Sequence, residues 1–119
     1  EAMAKMTEHG FRVLGLNRIE GGEHVKLGGF QKRMALFGWK LEGLHINNFV
    51  KGREIANSVS AACLYEDYQK ILNHRGCLWD SLQKMKMRIK QLPRKSFVKI
   101  LSDYFLNERD SYYEQILLL

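Results

Sequence analysis

One proline in 119 residues leaves no room for a Pro-rich linker, and two cysteines are too few for a disulfide framework. A chain with so little disulfide capacity is expected in a reducing, intracellular compartment, cytoplasm or nucleus. Apolar runs are short as well. The terminal Ile116 to Leu119 is among the longest, far below the roughly 20 residues that cross a bilayer, so no membrane span is predicted. A basic segment followed by an apolar core is missing at the front, and no secretory signal is read there. Acidic residues are missing from one long window. Between Ser81 and Ser102 there are seven Lys or Arg and no Asp or Glu, which exceeds the chain's net charge of +6 and leaves the remainder close to neutral.

The groups that carry catalysis are also sparse. Cys63, His74 and Cys77 lie near one another, but a closed zinc site needs four ligands, and Cys63 falls on an apolar stripe where a thiol behaves as a small hydrophobe. A Cys77 and His74 nucleophile pair would need a third group to orient the base. His9, His24 and His45 are scattered. The glycine pairs around Glu23 to Lys26 lack the Gly-Lys-Ser/Thr step of a phosphate loop. Glu66 and Asp67 are adjacent, so on a helix they point apart. No catalytic residue, metal ligand or cofactor is predicted, and the chain is expected not to be an enzyme.

What remains is a folding pattern. A hydrophobic fraction of 45% and a charged fraction of 27% suit a packed core, and the length suits one domain over 1–119. The opening on Glu1 and the close on Leu117, Leu118 and Leu119 read as a piece excised from a larger protein, with 1–29 irregular or partly tag. Ala2 to His9 reads as a short helix stopped by Gly10. Six of the ten glycines fall within Gly10 to Gly29, which reads as a loop with one short strand.

Phe30, Met34, Phe37, Leu41 and Leu44 recur at four, three, four and three, a helical stripe that Gly43 ends. Asn47 or Asn48 can cap a long helix reaching Arg75, with Phe49, Ala56, Val59, Cys63, Leu64, Tyr68, Ile71 and Leu72 inward and Gly76 at its end. Leu78, Leu82, Met85, Ile89 and Leu92 form a third stripe, stopped at Pro93. Ser96 caps a fourth helix carrying Phe97, Ile100, Leu101, Tyr104 and Phe105, and a final turn carries Tyr113, Ile116 and Leu117. The expected fold is all-α, a compact bundle of four to five helices with a Gly-rich N-terminal loop.

Two functions fit such a bundle. The first is a non-enzymatic module that binds a protein partner or a second copy of itself through Trp39, Trp79, Met87, Leu118 and Leu119, apolar residues in excess of the core stripes. The alternative is an RNA- or DNA-binding domain, in which Lys84, Lys86, Arg88, Lys90, Arg94, Lys95 and Lys99 neutralise phosphates and release counterions.

Overall fold

The computed structural model describes residues 2–76, 81–107, 111–117 and 119. Its order is α1 (Ala2–Arg12), β1 (Arg18–His24), α2 (Gly28–Met34) with a 3-10 turn (Ala35–Phe37), β2 (Trp39–Lys51), β3 (Glu54–Leu64), α3 (Tyr65–His74), α4 (Leu82–Lys90), α5 (Phe97–Asn107) and α6 (Ser111–Ile116). The fold is α+β, which corrects the all-α expectation. A three-stranded antiparallel sheet of order β1-β3-β2 stands where the second half of one expected helix and most of the long one were placed.

The helical pattern of Phe30 to Leu44 has a definite origin. Phe30, Met34 and Phe37 do lie on helical turns, but Gly38 adopts φ 103° and ends them, and Trp39 begins β2. Leu41 then pairs with Ala61 and Leu44 with Val59, because a bulge at Glu42 shifts the register. Ala61 and Val59 are two apart on β3 and face the same way. The extra residue therefore puts Leu41 and Leu44 on one face at a spacing of three, the spacing of a helix.

Strand β3 misleads for another reason. It lies between two neighbours, with Ile19 of β1 and Trp39 of β2 both opposite Cys63. Val59, Ala61, Ala62 and Cys63 are all buried, so both faces are covered and the alternation of a half-exposed strand disappears. The expected cap Asn47 sits instead at positive φ in a second irregularity between His45 and Phe49, where its amide donates to Asn57 Oδ1 at 3.0 Å.

One sheet face, carrying Ile19, Trp39, Leu41, Val59, Ala61 and Cys63, turns to the core. Helix α1 covers it. Phe11 meets Tyr68 of α3 with ring centroids 4.8 Å apart, and Trp39 Nε1 donates to Thr7 Oγ1 at 3.1 Å. Thr7 Oγ1 in turn donates to the Met3 carbonyl at 2.8 Å. Trp39 is only 4% exposed, which removes it from the exposed anchors expected of a partner surface. Gly28 lets α2 lie against α5, since a Cβ there would sit 2.5 Å from the Cβ of Phe97. Tyr112 of α6 donates to the Lys32 carbonyl at 2.6 Å.

The C-terminal helices follow the sequence more closely. Ser81 and Ser96 cap α4 and α5, each hydroxyl accepting from the amide three residues on, Lys84 and Lys99. The stripe on α4 is not fully inward, however: Leu82 is 53% exposed, while Met85, Ile89 and Leu92 are half-buried. No helix of the described residues is long and apolar enough to cross a membrane.

Candidate functional site

The outer face of the sheet is polar, and its charges are organised by a small residue. Arg18 on β1 and Glu42 on β2 flank the central strand, whose Ala62 lies between Glu20 and Lys40 and presents only a methyl group. The guanidinium reaches over it. Arg18 donates to Glu42, at 2.9 Å through Nη1, and to Glu20 at 2.8 Å through Nη2. These bonds raise the Arg18 pKa, the Glu42 bond most and Glu20 next. They hold the Glu42 carboxyl below its ordinary value, against a smaller opposing effect of burial.

Beside this cluster, a cavity of about 500 Å³ opens where β2 meets α3, α5 and α6. Each wall has a local cause. Lys40 and Glu42 alternate with inward Trp39 and Leu41, so β2 pleating points them outward. Asp67 and Lys70 are three apart on α3 and share one side of that helix. Tyr104 comes from α5, and Tyr113 with Glu114 from α6. Lys40 Nζ meets Asp67 Oδ1 at 3.1 Å. The Leu41 amide, pointing away from β3, donates to the Tyr113 phenol oxygen at 2.9 Å, which fastens α6 to the edge of β2.

Three carboxylates and two ammonium groups therefore line the cavity. Lys40 is matched by Asp67 and Glu42 by Arg18, while Glu114 forms no ion pair among the described residues. A smaller recess of about 100 Å³ continues past Lys40, Asp67, Lys70 and Glu114 toward Ala35 and Leu117. A cationic amine suits such a lining, with carboxylates to receive its N–H groups and tyrosine rings to face its carbon chain.

The residues singled out from sequence lie elsewhere. Lys84, Lys86, Lys90, Arg94 and Lys99 are exposed on and after α4, but Lys95 and Lys99 pair with Asp103 at 2.5 and 3.0 Å, and Arg88 donates to the Leu119 carbonyl. The cationic strip is thus partly neutralised by Asp103 of α5. Met87 is 57% exposed, Leu119 is half-buried against the core, and Trp79 and Leu118 lie outside the described residues. Of the sulfur and imidazole groups, Cys63 is buried with its thiol pushed up to about 12, mainly by desolvation, His74 is exposed, and Cys77 is outside the described residues. The cavity residues were missed because they are scattered from 40 to 114. The one local signal was Glu66 and Asp67, which do diverge, with Asp67 the member that faces Lys40.

No family model and no curated protein matches the sequence. A solved structure does match: the crystal structure of a GCN5-related N-acetyltransferase from Brucella melitensis, with a TM-score of 0.56 and 19% identity. The fold is of the acetyltransferase kind. The alignment covers 72% of this chain and 44% of that one, so the chain spans less than half the length of the acetyltransferase it matches. This overturns the helical protein-interaction or self-association module and, with it, the basic RNA/DNA-binding alternative. Both rested on a bundle in which α4 was a central element, whereas the sheet with α1 and α2 is the organising unit.

Proposed function

We propose that the chain forms the acceptor side of an N-acyl-transfer unit, with the cavity between β2, α3, α5 and α6 receiving a primary amine. The observation that carries this reading is the fold, since a solved acetyltransferase matches 72% of this chain with a TM-score of 0.56. The cavity supplies the chemistry that such a role asks of it. In N-acyl transfer the amine lone pair attacks the acyl carbonyl, a C–N bond forms, the bond to the donor's leaving group breaks, and the amine gives up a proton. An amine is mostly protonated near neutral pH, so its first encounter is with a carboxylate such as Glu114 at that wall, and it sheds this proton to solvent before its lone pair can attack and the second proton leaves on acylation. The free, buried thiol of Cys63 supports assigning the protein to a reducing compartment.

The test is a titration of the isotope-labelled chain with a linear diamine, followed by backbone amide NMR. Saturable shifts confined to the segments around Lys40 to Glu42, Asp67 to Lys70, Tyr104 and Tyr113 to Glu114 are expected, weakened several-fold by Glu114→Gln. Shifts absent from those segments, or unaffected by that substitution, would overturn the assignment.

A further inference from the structure

A second cavity, of about 620 Å³, lies between α1, α2 with its 3-10 turn, and α4, and no strand residue lines it. Its walls are mainly apolar, and three of the chain's five methionines face it, Met3 from α1, Met34 from α2 and Met85 from α4. Methionine is unbranched and polarisable, so such a wall adapts to chains of differing length. The floor is Phe37, which is nearly fully buried.

Helix α4 gives the second observation. It is amphipathic, yet none of its residues is fully buried, and Met85 and Ile89 remain half-covered. The apolar face of a capped helix is therefore turned toward a space that the described residues leave open. A cleft with walls of this kind favours a hydrocarbon chain along its apolar side.

The rim sets the charge of the head group. Lys5 and Arg33 both line the cavity, and Arg33 is exposed and forms no ion pair among the described residues. Among the described residues the one carboxylate in this lining, Glu8, is engaged by Arg12 at 2.8 Å. Cations thus stand at the mouth of a hydrocarbon slot. We propose that this cavity binds a single-chain aliphatic carboxylate, its chain between the three methionines and its carboxylate on the Arg33 guanidinium. The inference is independent of the amine site, with which it shares no lining residue.

The test uses decanoate below its micellar range, with decanol and decyltrimethylammonium as chain-matched controls, on the full chain carrying isotope-labelled methionine methyl groups. Decanoate is expected to shift Met3, Met34 and Met85 saturably and to bind about tenfold more tightly than either control, the difference that a charge-assisted hydrogen bond supplies. Arg33→Gln should erase the preference for decanoate over decanol while leaving decanol binding intact. Met85→Trp should fill the slot and block all three probes. If Met85→Trp fails to fold, Arg33→Gln decides, since it changes only an exposed side chain. Equal binding of the cationic control, shifts confined to other methyl groups, or a preference that survives Arg33→Gln would each overturn the proposal.

Discussion

Thr7→Val isolates the contact that seats α1 on the sheet. The Thr7 hydroxyl is 1% exposed residue surface and is the acceptor for the indole N–H of Trp39, itself 4% exposed. Valine keeps the shape and removes the acceptor, so the indole donor remains buried with nothing to bond. Leaving a buried donor unsatisfied costs about 1–3 kcal/mol. Thr7→Ser keeps the hydroxyl and removes one methyl, worth about 0.8 kcal/mol by area. Urea unfolding of both variants should rank valine as the more damaging, with a fall in melting temperature of roughly 4 °C per kcal/mol. In a Trp39→Phe background, where the donor is gone, the extra penalty of valine should vanish, since coupling between two residues in contact is what a double-mutant cycle measures. If valine proves no worse than serine, or if its penalty persists without the indole, the hydrogen bond does not hold α1 in place.

Gly38→Ala should destabilise strongly, because positive φ costs an L-residue about 1–2 kcal/mol and its Cβ would press on Cys63 Sγ at 3.1 Å and Tyr68 N at 3.2 Å; chemical denaturation checks this. Glu42 has a depressed pKa in the fold, so its contribution is complete above its unfolded value, near 4.5, and is lost as pH falls through the folded value. Glu42→Gln should accordingly flatten the acid-side loss in a series of urea midpoints, by at most about 1 kcal/mol because the pair is largely exposed. The Cys63 thiol, pushed up to about 12 and buried, should resist alkylation at roughly pH 8 until the protein is unfolded, as peptide mass spectrometry would show.

The helices outside the sheet were legible in the sequence because each carries a local signal. The helix read as Ala2 to His9 is present, though it runs on through the expected stop Gly10, buried with Phe11, to Arg12, and Ser96 stands three residues before the amide it caps. The strands were not, for reasons specific to particular residues. The bulge at Glu42 gave β2 the spacing of a helix, and burial on both faces stripped β3 of alternation. Ala62 fell within the expected long helix, whereas on β3 its small side chain lies between Glu20 and Lys40 on the face where Arg18 meets Glu42. The amine cavity draws on β2, α3, α5 and α6, so it exists only after tertiary assembly. The cavity at α4 had half a signal in sequence: the stripe of Met85 and Ile89 was visible, but nothing local could show that a void would stand opposite it.

The order of the strands in space bears on how the chain is born. β2 and β3 close over Gly52 and Arg53 as a hairpin, whereas β1 must find β3 across all of α2 and β2. Loop closure grows harder with separation, so the hairpin can zip early while β1 idles. A ribosome releasing this chain thus delivers β1 long before that strand's only neighbour among the described residues, and its pairing waits for Ser58, opposite His24, and is complete only once Leu64, opposite Arg18, has emerged.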